Sequence, residues 1–195
     1  MSNASLPSNL PPMAAWVDPV LAIDLGGTKI AAGLVTPDGV VHFPKTVPTR
    51  ALEGGEAVMA RIIDLALDLI HTAASEPGLT PAAVGVSTGG MVVPGEGSIS
   101  FGTSAIPGWS GMPVRARLAS VVGLPVQVEN DGNAMALGEA IFGAGAGYSL
   151  VVGITVGTVI GGGITMDHRS SLASDGERWR GSVERARGAT MCHRP

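Results

Sequence analysis

The sequence contains one local pattern twice: an apolar strand, a turn rich in glycine with a hydroxyl side chain, and a second apolar strand. The first copy spans residues 20–35 around Gly26 and Gly27, and the second spans residues 149–166 around a further cluster of glycines. Short apolar runs bounded by glycines are typical of buried strands. The repetition suggests duplicated domains, each built on a sheet with a glycine turn between strands.

Helical periodicity alternates with these strands. In residues 56–73 apolar side chains recur every three or four positions, which predicts a helix with one face against a sheet. Residues 83–87 predict a strand, and the Gly- and Pro-rich loop that continues to Trp109 is expected to bind a ligand or to move. The alternation indicates an α/β fold. Three further elements are predicted, a helix at 113–122, a strand at 125–128 and a helix at 132–142.

Composition and charge exclude several classes of function. The 195 residues carry a net charge of -4, and no basic stripe with aromatic residues occurs before residue 169, so nucleic acid is not an expected partner. The single cysteine, Cys192, cannot form an internal disulfide, which fits a cytoplasmic protein. Glycines and threonines interrupt the apolar residues 149–166, which predicts buried strands and no contact with a membrane.

The first glycine turn, residues 24–29, has the groups that bind a polyphosphate. Because Gly26 and Gly27 lack side chains, their backbone N–H groups can approach phosphate oxygens. Thr28 and Lys29 supply a hydroxyl donor and a cation, and Asp24 can orient water on Mg²⁺. The alternative is an ordinary hairpin turn. Since the spacing is neither a Walker A loop nor a dinucleotide fingerprint, phosphate would bind at a β-turn between strands.

The second glycine turn places another hydroxyl, that of Thr158, between two strands. Two such turns could hold one triphosphate from opposite sides. The alternative is that the glycines of this segment mark bulges or close backbone packing, which is a common role of glycine within strands. The residues alone leave both interpretations open.

A third motif, residues 128–134, places polar residues where a strand meets a helix. Asp131 can accept the proton of a sugar hydroxyl as that hydroxyl attacks phosphorus, and Asn130 can hold a neighbouring hydroxyl. The alternative is a helix N-cap, a position at which Asn and Asp are both favoured.

In combination and in this order, the three motifs resemble those of the ROK family of sugar kinases and repressors. The likeness spans residues 20–166 and includes segments 87–90, 107–109 and 128–139. It implies the actin/hexokinase-like ATPase fold, which is ribonuclease H-like, with an N-terminal domain and the beginning of a second. The expected divisions are a disordered leader at 1–18, a nucleotide- and sugar-binding domain at 19–125, the start of the larger C-terminal domain at 126–168 and a basic tail without likeness at 169–195.

The resemblance implies ATP-dependent phosphorylation of a hexose at its 6-hydroxyl, as in a glucokinase, with Mg²⁺ bridging the ATP phosphates. Asp131 would be the general base in a cleft between two domains, and Asn130, Gly89 and Gly90 would contact the sugar. Expected partners are a hexose or N-acetylhexosamine substrate and a second copy of the chain in a homodimer. The residues implied to bind the nucleotide are Asp24, Gly26, Gly27, Thr28, Lys29 and Thr158.

The chain departs from the family pattern in two ways. Val159 stands where the family has glycine; a β-branched residue is costly there if the backbone needs a positive φ, so ATP affinity would suffer. After Met166 the sugar-binding glutamate-x-glycine-histidine motif and the cysteine-rich zinc motif are not found, and Cys192 and His193 lack the spacing for zinc. The basic residues 169–195 lead to the hypothesis of a frameshift with early termination, or of a wrong gene model.

Three alternatives to a glucokinase-like enzyme stay open. One is an N-acetylmannosamine kinase. Another is a non-catalytic remnant, in which an incomplete second sheet would expose strand edges and apolar surface. The third is a sugar-responsive repressor of the same family, for which the roughly twenty residues before Asp24 are too few to form a three-helix DNA-binding domain.

Overall fold

The computed structural model describes residues 18–102, 104–156, 160–166 and 169–170, so nearly all of the predicted leader and tail lie outside the described residues. No helix in these ranges has the length and apolar character needed to span a bilayer. The strands are β1 (Val20–Leu25), β2 (Lys29–Val35), β3 (Val41–Pro48), β4 (Ala83–Thr88), β5 (Met91–Val92), β6 (Ile99–Phe101), β7 (Val126–Asn130), β8 (Leu150–Val156), β9 (Ile160–Met166) and β10 (Arg169–Ser170). The α-helices are α1 (Gly55–Ala73), α2 (Val114–Val122) and α3 (Asp131–Phe142), and a 3₁₀ helix spans Ala51–Glu53.

A five-stranded sheet in the order β3-β2-β1-β4-β7 forms the first half of the structure. The strands β1, β2 and β3 make an antiparallel meander, in which the first glycine turn joins β1 to β2 as predicted. In contrast, β4 and β7 lie parallel to β1, which requires long connections such as helices between successive strands. The predicted α/β class is confirmed.

Helix α1 packs on one face of this sheet because its apolar residues recur at helical spacing. Val58, Ile62 and Leu69 of the helix are fully buried, and they share one core with Leu21 and Ile23 of β1. Burial of one such side chain contributes about 1.5–3 kcal/mol. These apolar contacts hold the sheet in place, and with it the polar residues near the ends of its strands.

The opposite face of the sheet is lined mainly by small side chains. Ala22, Ala31 and Gly85 lie there, and an open groove of about 470 Å³ runs along them. Because successive side chains of a strand point to opposite faces, Asp24 of β1 and Ser87 of β4 lie on this side. Both polar residues are therefore outside the apolar core and accessible to a ligand.

The segment between β4 and α2 has more structure than the loop predicted from its Gly and Pro content. Strands β5 and β6 pair as a short antiparallel hairpin. Trp109 is only 1% exposed, and its indole N–H donates to the hydroxyl of Thr88 at 3.1 Å. Strands of two and three residues are too short to produce a recognisable period, which explains why the sequence did not reveal them.

Helix α3 follows β7 directly and packs on a second sheet, in the order β10-β9-β8. The antiparallel β8–β9 pair repeats the arrangement of β1 and β2, as predicted. The sequence shows no strand period after residue 168, yet the two residues of β10 pair with Thr165 and Met166. Among the described strands β8 pairs only with β9, and it exposes Val152, Ile154 and Val156.

The predicted domain boundary between residues 125 and 126 stays a prediction. Strand β7, on the C-terminal side of that boundary, is an edge strand of the first sheet and pairs with β4. We therefore propose a division after Asn130, which would keep each sheet within one domain.

Candidate functional site

The first glycine turn connects β1 to β2 and is fixed by hydrogen bonds to its base. The N–H of Gly26 donates to the carbonyl of Lys29 at 3.0 Å. The buried Thr49 donates its hydroxyl to the Gly26 carbonyl at 2.7 Å and its N–H to the Thr28 carbonyl at 2.9 Å. Gly27, Thr28 and Lys29 are exposed. The turn is thus anchored to the core while its tip is open to a ligand.

Asp24 lies one residue before the end of β1 and is exposed. Its partner in the parallel pairing with β4 is Ser87, and the Ser87 hydroxyl donates a hydrogen bond to Asp24 Oδ1. Ser87 pairs in turn with Glu129 of β7, so three polar residues form a row across three adjacent strands. The carboxylate of Asp24 is therefore held at the carboxyl edge of the sheet.

The start of α3 is organised by Asn130, which is its N-cap. The side-chain oxygen of Asn130 accepts hydrogen bonds from the N–H groups of Gly132 at 2.9 Å and Asn133 at 3.3 Å. Its amide nitrogen donates to the carbonyl of Gly90 at 2.9 Å. The N-cap interpretation is thus confirmed for Asn130, while Asp131, the first residue of α3, is exposed. Because Asn130 is the N-cap, Asp131 is not the capping residue of α3.

Glycines at the start of α3 and in β9 allow the two backbones to touch. A Cβ on Gly132 would lie 2.5 Å from the Gly162 carbonyl oxygen, and one on Gly163 would lie 2.6 Å from Asn133 Cα. Side chains at these positions would push the helix away from the sheet. Close packing, the alternative considered for the second glycine turn, is therefore confirmed for Gly162 and Gly163, whereas Thr158 and Val159 lie outside the described residues.

These elements enclose a cleft of about 460 Å³ between the end of β1, the start of α3 and β8. Asp24, Asp131 and Thr155 line it, together with Gly26 and Ser87. The cleft thus joins residues from all three motifs, which lie far apart in the sequence.

Other predicted site residues lie outside the lining of this cleft. Gly27, Thr28 and Lys29 form the exposed tip of the turn beside it, while Gly89 and Gly90 follow β4. Gly90 has a φ of 102°, and a Cβ there would lie 2.5 Å from the Phe101 carbonyl oxygen, so glycine is required. The Gly89–Gly90 segment is joined to the site through the hydrogen bond from Asn130.

The groups lining the cleft are suited to a hydrated cation bound to phosphate. Mg²⁺ in such sites usually takes one or two carboxylates and completes its shell with phosphate oxygens and water. Asp24 supplies a carboxylate of this kind. The described residues contain no group of three or more His, Cys, Asp or Glu side chains that could hold a metal ion. A cation at Asp24 would complete its shell with phosphate oxygens and water.

Sequence reasoning assigned no role to Ser87 or Thr155, although both line the cleft. One signal was present for Ser87: it is the penultimate residue of β4, as Asp24 is of β1. Thr155 opens the second glycine turn, where only the hydroxyl of Thr158 was considered. The pairing that brings Ser87 to Asp24 depends on the register of two strands that are distant in the sequence.

The comparisons with known proteins agree on one family. The ROK family model matches residues 20–177. The glucokinase of Thermotoga maritima is 36% identical over 145 residues, covering 74% of this chain and 44% of the relative. The N-acetyl-D-glucosamine kinase of Citrobacter koseri is 33% identical over 144 residues, covering 74% and 45%. The chain thus spans less than half of the length of these two relatives.

A solved structure extends the likeness to three dimensions. The ROK family glucokinase from Streptomyces griseus, in complex with glucose and AMPPNP, has a TM-score of 0.66 to this chain at 35% identity, covering 78% of this chain and 46% of that one. The fold is the actin/hexokinase-like ATPase fold that the family resemblance implied. The range matched by the family model includes Asp24, Asp131 and Thr155 of the cleft. The chain therefore belongs to the ROK family.

Proposed function

We propose that this chain forms the nucleotide- and sugar-binding part of an ATP-dependent kinase that phosphorylates a hexose at its 6-hydroxyl. The observation that carries the proposal is the cleft itself, in which Asp24 of the first motif and Asp131 of the third face a common space. Two carboxylates beside a glycine turn are the groups expected where a phosphoryl group passes from a metal-bound nucleotide to a hydroxyl.

Asp131 would act as the general base. Its carboxylate accepts the proton of the sugar hydroxyl while the hydroxyl oxygen forms a bond to the γ-phosphorus, and the bond from that phosphorus to the leaving oxygen of ADP breaks. The N–H of Gly132 donates to Asp131 Oδ1 at 2.8 Å, which orients the carboxylate at the start of α3. A base positioned in this way contributes roughly 10²- to 10⁴-fold to the rate.

The nucleotide would bind at the first glycine turn. The exposed backbone of Gly27 and Thr28 can donate to phosphate oxygens, and Lys29 adds a positive charge. When bound, Mg²⁺ neutralises phosphate charge, and Asp24 would hold it through water. The motif that contains Thr158 further suggests that its hydroxyl donates a second hydrogen bond to a phosphate oxygen.

The sugar would bind beside Asp131, with Asn130 and the Gly89–Gly90 segment as further contacts. Glucose is our first candidate because two relatives described above are glucokinases. An N-acetylhexosamine is the second candidate, because the relative from Citrobacter koseri is an N-acetyl-D-glucosamine kinase.

The test is release of ADP in a coupled assay over a panel of glucose, N-acetylglucosamine and N-acetylmannosamine. Asp131→Asn should reduce sugar-dependent ADP release roughly 10²- to 10⁴-fold. Asp64→Asn, which neutralises an exposed carboxylate on α1, is the matched control and should leave the rate unchanged. Turnover that survives Asp131→Asn would remove Asp131 as the base. Sugar binding in calorimetry without ADP release from any sugar would identify a binding protein without catalysis.

A further inference from the structure

Ser87 and Asp24 occupy equivalent positions on adjacent parallel strands. Each is the penultimate residue of its strand, and the two are register partners between β1 and β4. Their side chains lie on the same face of the sheet, and the Ser87 hydroxyl donates to Asp24 Oδ1. The hydrogen bond is thus built into the strand pairing.

The hydroxyl of Ser87 has a different environment from that of the next residue. Thr88 is buried, and its hydroxyl accepts the indole N–H of Trp109 within the core. Ser87 is half-buried and lines the same cleft as Asp24 and Asp131. The two neighbouring hydroxyls therefore serve opposite sides of the sheet, Thr88 the core and Ser87 the cleft.

A hydrogen bond from Ser87 limits how the Asp24 carboxylate can move. An exposed aspartate exchanges among side-chain rotamers, and ordering it when a ligand binds costs conformational entropy. A hydrogen bond to an ionised acceptor is stronger than one between neutral groups. Because Oδ1 accepts a hydrogen bond from Ser87, this bond favours one orientation of the carboxylate before a ligand arrives, with Oδ2 as its second oxygen.

We propose that Ser87 is a positioning residue, which orients Asp24 toward the hydrated Mg²⁺ of a bound nucleotide. This inference rests on the function proposed above. Ser87 itself contacts neither the nucleotide nor the sugar in this role. Loss of an outer partner of a metal-binding group typically reduces metal affinity or activity roughly 10- to 100-fold.

The experiment measures binding of AMPPNP by calorimetry, with Mg²⁺ and again with EDTA, so that catalysis is not required. We expect Ser87→Ala to weaken binding roughly 10-fold or more in Mg²⁺ and to leave binding in EDTA unchanged. Ser87→Thr keeps the hydroxyl and should restore the Mg²⁺-dependent affinity. The double variant Asp24→Asn/Ser87→Ala should bind no more weakly than Asp24→Asn alone, because Ser87 acts through Asp24.

Urea unfolding checks that each variant folds. If Ser87→Ala is unstable, AMPPNP binding by Ser87→Thr still tests whether the hydroxyl is sufficient for the Mg²⁺-dependent affinity. If the unaltered chain binds AMPPNP but Ser87→Ala binds equally well, or if the two substitutions weaken binding additively, the positioning role is overturned and the proposed function stands. If the unaltered chain does not bind AMPPNP at all, the proposed function fails, and the role of Ser87 fails with it.

Discussion

Gly132 at the start of α3 lies directly against Gly162 of β9, so close that a Cβ on Gly132 would come within 2.5 Å of the Gly162 carbonyl oxygen. The contact joins two backbones, and no flexible side chain separates them. Because Asp131 immediately precedes Gly132, the distance between α3 and β9 sets the place of the proposed catalytic carboxylate.

Gly132→Ala should therefore both destabilise the chain and impair the proposed reaction. Forcing extra atoms into a packed contact typically costs about 1–3 kcal/mol, and α3 must shift to accept the methyl group. Gly138→Ala in the same helix is the control, since nothing lies within 4 Å of the added Cβ. It should stabilise the helix by about 0.5–1 kcal/mol. Urea unfolding and ADP release measure both effects, and equal behaviour of the two variants would contradict the packing argument.

A second prediction concerns the hydrogen bond from Trp109 to Thr88, which anchors the segment that follows β4. Trp109→Phe removes the N–H that Thr88 accepts, and should lower the free energy of unfolding by about 1–3 kcal/mol. Thr88→Val leaves the indole N–H unpaired and should have a similar cost. In the double variant both polar partners are gone, so the loss should be clearly smaller than the sum of the single losses. Additive losses in urea unfolding would show that this hydrogen bond contributes little.

The exposed face of β8 is predicted to cause self-association. Ile154 is 64% exposed, on a strand that pairs only with β9 among the described strands. Ile154→Lys should increase the soluble monomeric fraction in light scattering, because a charge on an edge strand opposes pairing with another chain. Ile164→Lys places the same charge at a buried position of the neighbouring strand and should unfold the second sheet. If light scattering is unchanged for Ile154→Lys, the exposed face of β8 does not mediate self-association.

The β2–β3 turn gives a prediction about pH. The Thr36 hydroxyl, assisted by the N–H of Val40, lowers the pKa of the Asp38 carboxyl below its ordinary value. A lowered folded-state pKa contributes stability that is present above the unfolded-state pKa and is lost as the pH falls through the folded-state value. Thr36→Val should raise the Asp38 pKa in an NMR titration, whereas Thr36→Ser should keep it low. The same pKa in all three proteins would exclude the hydroxyl as the cause.

The elements that the sequence predicted well are those with a strong local signal. The periodic α1 and the glycine turn between β1 and β2 were both evident, because helical spacing and turn residues act within a few positions. The β5–β6 hairpin and β10 were missed since their strands have only two or three residues. Such strands are formed by the backbone groups of their neighbours and leave little trace in composition.

At the candidate site, too, residues in a short motif could be predicted, whereas contacts between positions distant in the sequence could not. Asp24 and Asp131 could be singled out because each sits in a short motif. The hydrogen bond from Ser87 to Asp24 joins positions 63 residues apart, and it depends on the register between β1 and β4. Likewise, only the packing of α3 on β9 shows that Gly162 and Gly163 serve the helix contact. Register and helix placement are tertiary properties that one motif does not encode.

The two hydrogen-bonding directions of Asn130 restrict how this position can vary. Its oxygen caps α3, and its nitrogen holds the carbonyl of Gly90. Aspartate or serine could cap the helix, but an aspartate carboxylate has no N–H for the carbonyl and would place a negative charge against it. Glutamine has the right groups on a longer stem and would misplace both. Of the common capping residues, asparagine alone offers an acceptor and an amide donor together. A substitution at position 130 would therefore break the link between α3 and the Gly89–Gly90 segment before it unfolded the helix or the segment.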